Sequence, residues 1–210
     1  SRFVNEKWGT FGSIGAGWIA SKEAFLQDNK ILTYLKLNTS YGIVGDQAGV
    51  GLFSGFNRYN GGNLGGSISL APGLNGNPDL TWETSNMFNF GTEMRFGKFV
   101  DVNLNYYNKL TNNLIFNRFV GPSQGISSVT VNDGELINAG LEFDITGHII
   151  NKQGFRLDLA VNGTVINNEI KTMPIDPATG LPQVLTPDGN YGWSAGRSIF
   201  DFYMREWAGV

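Results

Sequence analysis

The stretch FNFGTEMRFGKFVDVNLNYY, from Phe88 to Tyr107, alternates apolar and polar residues on both sides of a Gly97-Lys98 break. Successive side chains of an extended strand point to opposite faces, so the alternation predicts two strands, each with one apolar and one polar face. A glycine between two such runs predicts a tight antiparallel hairpin. The stretch therefore predicts antiparallel β-structure, and the rest of the chain extends it.

Three further runs repeat this pattern: Leu35–Tyr41, Ile137–Ile145 and Phe155–Thr164. Over the five strands the apolar face has 23 positions and no charged residue. Because 16% of the whole chain is charged, about four charged residues would be expected there by chance. The polar face has 20 positions, of which eight are charged. These charged residues are Lys36, Glu93, Arg95, Asp101, Glu142, Asp144, Arg156 and Asp158. The pattern predicts one dry and one wet face.

The connections between these strands differ in length. Two weaker alternating runs, Ser13–Glu23 and Ser198–Trp207, bring the predicted number of strands to about seven. The turn at Gly97-Lys98 is short, as are the predicted connections Ala24–Thr33 and Gly147–Gly154, and the last of these contains His148. The long connections are Ile43–Ser85, Asn108–Glu135 and Asn167–Ala195. Short turns at one end and long loops at the other are typical of an outer-membrane β-barrel.

Composition excludes several other classes of protein. The chain has 210 residues with 29 glycines, 23 asparagines and 13% aromatic residues, which does not fit a disordered chain or a helical bundle. The net charge is −3 without a basic block, so nothing suggests nucleic-acid binding. The chain has no cysteine and one histidine, which leaves no thiolate site, zinc site or histidine-based triad to predict. We predict no cofactor and no catalytic residue.

Aromatic residues are concentrated near the predicted strand ends. One group lies beside the short turns and the other beside the long loops, as expected for two girdles at the surfaces of a bilayer. The first group is Tyr34, Phe96, Phe99 and Phe155, and the second is Tyr41, Phe88 and Tyr106.

Several segments resemble the SusC/RagA family of TonB-dependent outer-membrane transporters of Bacteroidota. The strongest are LKLNTSYGIVGDQ (Leu35–Gln47), NPDLTWETSNMFNFGTEM (Asn77–Met94), VNLNYYNKLTNNLI (Val102–Ile115) and NAGLEFDI (Asn138–Ile145). FGSIGAGWIASKEAF (Phe11–Phe25) and FYMREWAGV (Phe202–Val210) also fit the family pattern.

The resemblance implies a 22-stranded barrel with an N-terminal plug in the outer membrane, closed above by a SusD-like lipoprotein. It implies uptake of glycans or peptides, energised by the TonB–ExbB–ExbD system. Residues 1–210 would be part of one β-barrel domain, because about seven strands cannot close a barrel. The plug domain and the remaining strands would lie elsewhere in a longer chain.

On this interpretation the apolar face contacts outer-membrane lipid, and the eight charged residues of the polar face line the lumen. Their alternative role is to pair across strands and hold the register. Ligand contacts are expected in the long loops, where aromatic and amide side chains can stack on sugars and bind hydroxyl or peptide groups. The candidates are Asp46, Gln47, Asn57, Arg58, Tyr59, Asn60, Tyr191 and Trp193, with Asp188 in the same last loop. These side chains could instead pack the loops together or against a lid protein.

Two other functions fit the alternation. One is a secreted β-sandwich that binds carbohydrate through its loops. The other is an all-β glycan-active enzyme that uses a carboxylate pair such as Glu142 and Asp144, although a polar wall already accounts for both residues. We favour the transporter over both.

Overall fold

The computed structural model describes residues 2–121, 123, 125–186, 190–204 and 206–209. They form ten β-strands and one short 3₁₀ helix, Ala20–Lys22. The strands are β1 (Gly12–Trp18), β2 (Leu32–Asp46), β3 (Arg58–Leu64), β4 (Ser67–Leu74), β5 (Glu83–Phe96), β6 (Val100–Asn112), β7 (Ile115–Phe119), β8 (Ser128–Asn132), β9 (Glu135–Lys152) and β10 (Phe155–Thr172). Among the described residues, no helix has the length and apolar character needed to cross a membrane.

Six of the strands form one antiparallel sheet in the order β1-β2-β5-β6-β9-β10. Chain neighbours are therefore sheet neighbours throughout, as in an up-and-down meander. The remaining strands form two separate hairpins, β3–β4 and β7–β8, inside the connections from β2 to β5 and from β6 to β9. The predicted all-β, antiparallel fold class is confirmed.

The register of the sheet confirms the two predicted faces. One transverse row of paired residues is apolar apart from a threonine and a glycine, and the next row is polar. The first consists of Leu37, Thr92, Leu104, Phe143 and Gly163, and the second of Lys36, Glu93, Asn103, Asp144 and Asn162. Each row crosses five strands without mixing, so the strands share one apolar face and one polar face.

The short connections lie at one end of the sheet, which we call the hairpin end. Three residues, Gly97–Phe99, join β5 to β6, and two residues, Gln153–Gly154, join β9 to β10. Gly97 has φ of 57° and Gly154 has φ of 90°, a region that glycine enters without a steric penalty. The opposite end carries both inserted hairpins and is called the long-loop end.

Three expectations about individual segments are wrong. The described part of 198–207 forms no strand, only an isolated bridge between Tyr191 and Phe202, so the main sheet has six strands. Tyr34 pairs with Arg95 on the polar face and cannot belong to a lipid-facing girdle. His148 lies within β9 rather than in a turn, because β9 and β10 continue past the level of the β5–β6 turn.

The buried core lies at the long-loop end, not between two sheets. Phe3, Val50 and Leu80 are almost fully buried, and Trp82 and Ile115 pack against them. Large side chains on the apolar face of the sheet remain exposed; Phe90 and Leu159 are 43% and 61% exposed. The two-layer core of a β-sandwich is therefore missing from the described residues, and that alternative is wrong.

Candidate functional site

The polar face carries cross-strand ion pairs. Lys36 Nζ on β2 lies 2.6 Å from Glu93 Oε1 on β5, and Arg95 Nε on β5 lies 2.8 Å from Asp101 Oδ1 on β6. The register places these partners directly opposite each other on neighbouring strands. Such pairs are worth little when exposed to water, but each disfavours a shifted register that would put like charges opposite one another.

His148 extends this charged row across β9. Its Nδ1 lies 2.7 Å from Asp158 Oδ1, and its Nε2 lies 3.3 Å from Asp101 Oδ2. Arg156 Nε closes the row at 2.7 Å from Asp158 Oδ2. A register shift in β10 between Leu157 and Asp158 brings Asp158 opposite His148. Sequence reasoning missed this link because it ended β9 too early.

The two remaining predicted wall residues, Glu142 and Asp144, stand apart from these ion pairs. They follow each other on the polar face of β9, and neither forms an ion pair with any described residue. Asn105 Nδ2 donates a hydrogen bond to Glu142 Oε2 at 3.3 Å. Both carboxylates line a concavity of about 310 Å³ with Asn103 and Asn162. All eight predicted residues thus share one face, and two of them have no cation beside them.

A second concavity on the same face contains residues that were not predicted as a site. It has a volume of about 420 Å³ and is lined by Tyr107, Lys109 and Glu142 together with several asparagines. Lys109 was missed because the predicted strand ended at Tyr107, whereas β6 continues to Asn112. Extending the alternation by two residues would have placed Lys109 on the polar face.

Three of the predicted ligand residues in the first long loop hydrogen-bond to the backbone. Asp46 Oδ1 accepts from the Ala48 N–H at 2.8 Å, and Gln47 Oε1 accepts from the Arg2 N–H at 3.0 Å. Asn57 Oδ1 accepts from the Gly76 N–H at 2.9 Å. These contacts give the three side chains a structural role in shaping the loop.

The next three candidates begin the β3–β4 hairpin. Arg58, Tyr59 and Asn60 are all exposed, and Tyr59 is 63% exposed. The hairpin turn uses Gly65 and Gly66, with φ of 61° and 87°, as a tight two-residue turn of this hand requires. The three side chains are therefore presented to solvent on a separate ribbon.

The last two candidates are packed in the third long loop. The ring of Tyr191 stacks on Phe202 with centroids 5.2 Å apart. Trp193 Nε1 donates to the Ile199 carbonyl at 3.1 Å, and its ring meets Phe116 edge-on at 6.4 Å. Asp188 lies outside the described residues. The loop candidates thus fall into separate loops, and the ring contacts tie Trp193 to β7.

Uncharged amides connect the long loops to each other. The Gln183 side chain is buried; its Oε1 accepts from the Phe119 N–H at 3.0 Å, and its Nε2 donates to the Asn117 carbonyl at 2.9 Å. Asn132 Oδ1 accepts from the Thr81 N–H at 2.9 Å, and its Nδ2 donates to the Thr81 carbonyl at 2.8 Å. The long-loop end is therefore a cross-bonded unit.

Glu83 joins the same unit through a carboxylate. Glu83 is the first residue of β5 and precedes Phe88 by five residues. It therefore lies on the long-loop side of the aromatic girdle, outside the stretch between the two girdles. Glu83 Oε1 accepts a hydrogen bond from the Ile115 N–H at 2.7 Å. Burial raises the pKa of the Glu83 carboxyl above its ordinary value, and this hydrogen bond opposes the shift only in part.

We expect Glu83→Gln to raise the thermal midpoint at about pH 7.5, with the gain shrinking as the pH falls and disappearing below the ordinary pKa of the carboxyl, 4.5. Between its ordinary and its raised pKa, Glu83 holds more protons in the folded than in the unfolded protein, so rising pH destabilises the fold. Glutamine keeps the acceptor without the charge. The measurement is the variant-minus-parent difference in midpoint across this pH range. A gain of equal size at every pH would contradict the titration of Glu83.

The described residues contain no group of three or more histidine or carboxylate side chains that could hold a metal ion. The polar face instead offers opposite charges, amides and half-buried phenol rings on a wide surface. That chemistry suits reversible contact with polar molecules.

Comparison with known proteins identifies the family. The family model of the TonB-dependent receptor-like β-barrel matches residues 1–203. TonB-dependent receptor P39 of Formosa agariphila is 32% identical over 173 residues, which cover 81% of this chain and 17% of that protein. TonB-dependent receptor SusC of Bacteroides thetaiotaomicron is 32% identical over 182 residues, which cover 81% of this chain and 18% of SusC.

A solved structure gives the same result. The RagAB peptide importer in its closed-closed state superposes with a TM-score of 0.81 at 25% identity, covering 100% of this chain and 23% of that chain. The chain spans about one fifth of the length of the curated relatives it matches. SusC, RagA and the family as a whole are outer-membrane β-barrels, so the predicted resemblance and the predicted outer-membrane location are confirmed. The chain belongs to the TonB-dependent receptor β-barrel family.

Proposed function

We propose that this chain forms part of the barrel wall of a transporter that imports glycans or peptides across the outer membrane. On this proposal the plug domain and the remaining strands belong to the same longer polypeptide. The apolar face lies against lipid and the polar face lines the lumen. The long loops stand on the outer surface, where the predicted ligand residues Arg58, Tyr59 and Asn60 are exposed.

The single observation that carries this proposal is the separation of the two faces across five neighbouring strands, β2, β5, β6, β9 and β10. A water-soluble enzyme or binding module rarely exposes to water a wide apolar face such as the one that bears Phe90, Leu159 and Val161. A lipid-facing wall needs that face, and a lumen needs the opposite one. The strands are 13 to 18 residues long from β2 to β10 in the main sheet, enough to cross a bilayer with tilt and extend beyond it.

The relatives support the transport function of this proposal. RagAB is named as a peptide importer, and SusC and RagA belong to a family of receptors and transporters rather than enzymes. We propose a SusD-like lipoprotein as the lid over the long-loop end and the TonB–ExbB–ExbD system as the energy source acting through the plug. No catalytic step is needed in this mechanism.

The test is uptake by cells with and without the gene. We expect a deletion strain to lose uptake of, and growth on, either a peptide mixture or an oligosaccharide mixture. An introduced copy of the gene should restore uptake and growth. The lipoprotein should co-purify with the protein in detergent. Undiminished uptake of every peptide and oligosaccharide tested would refute the proposal.

A further inference from the structure

The concavity of about 420 Å³ on the polar face has opposite charges at its two ends. Lys109 on β6 lies opposite Asn138 on β9, and Glu142 lies four residues further along β9 toward the hairpin end. Tyr107 of β6 stands between the levels of the two charges, and Asn105 of β6 lies opposite Glu142. The site is therefore polarised along the strand direction.

Neither charge forms a close ion pair with a described residue, although Lys109 lies near enough to Glu83 to stabilise its carboxylate. Glu93, Asp101 and Asp158 each have a cation within 3.3 Å, whereas Glu142, like Asp144 two residues further along β9, has none among the described residues; Glu142 accepts a hydrogen bond from the amide of Asn105. Lys109 forms no ion pair with any described residue. Both groups are thus free to pair with charges on a bound molecule, and charge-assisted hydrogen bonds are the strong ones.

Tyr107 provides a flat surface between them. Its ring extends over Gly140 on β9, where an added Cβ would lie only 2.6 Å from the phenol oxygen. The missing side chain at Gly140 lets the ring lie along the wall. A ring in this position can stack on a planar amide while its hydroxyl stays available for a hydrogen bond.

The distance between the charges sets the size of the ligand. Four residues of extended strand separate their levels, about 13 Å at the rise of a β-strand. An extended peptide of about three to five residues spans the same distance between its terminal amine and its terminal carboxylate. A neutral oligosaccharide of that length would leave both Lys109 and Glu142 without a partner.

We propose that this concavity binds a short peptide by its two free termini, with Lys109 taking the carboxylate, Glu142 taking the ammonium group and Tyr107 stacking on the peptide bonds between them. The proposal rests on the transport function above and assigns peptides to the wall of the lumen. Asn105 orients the Glu142 carboxylate and adds an amide for the peptide backbone.

The experiment measures binding of defined tetrapeptides of alanine and glycine to the natural full-length protein in detergent. The four probes have free termini, an acetylated N-terminus, an amidated C-terminus, or both modifications, and maltotetraose is the neutral comparison. We expect either modification to weaken binding by at least about tenfold. We expect Lys109→Gln to weaken binding of the free peptide but not of the amidated one. Glu142→Gln should weaken the free peptide but not the acetylated one.

Unchanged binding of the probe that lacks the matching charge shows that each variant is folded. Equal binding of free and blocked peptides, or no peptide binding at all, would overturn the site. Tighter binding of maltotetraose than of any peptide would overturn it in favour of a glycan. Cellular uptake of peptides that continues despite such a result would leave the transport proposal standing, so the two can fail separately.

Discussion

Replacing Leu104 by arginine is expected to prevent the protein from assembling into the outer membrane. Leu104 lies on the apolar face between Thr92 and Phe143, in the row midway between the two aromatic girdles. A charge at the middle of the lipid-facing wall costs about 2–4 kcal/mol. The measurement is the amount of heat-modifiable, folded protein in the outer-membrane fraction, which should fall severely.

Asn103→Arg is the matched control, because the residue is next in the chain and points to the opposite face. It lies between Glu93 and Asp144 on the polar face, where another cation meets water and two carboxylates. We expect near-normal amounts of folded protein. Equal losses in both variants, or equal tolerance of both, would contradict the assignment of the apolar face to lipid.

The second large effect is expected for Leu80→Ala at the long-loop end. Leu80 is 1% exposed and packs with Phe3 and Val50. Removing its side chain leaves a cavity in a core that few other side chains can fill, a loss of about 2–5 kcal/mol. The first and second loops should then open more often, and trypsin cleavage after the half-buried Arg118 should become more than about tenfold faster.

Leu70→Ala removes the same atoms from a side chain that is 72% exposed on the β3–β4 hairpin. We expect no change in cleavage after Arg118, since little buried area is lost. If both variants accelerated cleavage equally, the packing around Leu80 would not be what holds the loops.

The wall could be predicted from the sequence because the alternation of residues in each strand reflects the surroundings of its two faces. An apolar face that meets lipid tolerates no charge, so Phe88–Tyr107 carries its orientation in the alternation itself. Pairing then follows from short turns such as Gly97–Phe99, which leave adjacent strands no alternative partner. The resemblance to the SusC/RagA family supplied the barrel and the location.

The long-loop end was less predictable because its contacts depend on residues far apart in the chain. Gln183 is bonded to Asn117, 66 residues away, and no local pattern marks a glutamine for burial. The β3–β4 hairpin was also missed because its glycine- and asparagine-rich sequence is typical of loops, and the β7–β8 hairpin because each of its strands has only five residues. On the wall, underestimating the length of β6 and β9 hid Lys109 and the bridge at His148.

The bonds that join the outer loops have a consequence for the environment in which the protein works. Gln183, Asn132 and Asn77 connect the loops through neutral amides, whose attraction ionic strength does not screen. The ion pairs of the wall, such as Lys36 with Glu93, are screened when exposed. When the ionic strength around the cell rises, the protein would therefore keep the geometry of its outermost loops, while the ion pairs of the wall beneath them become weaker.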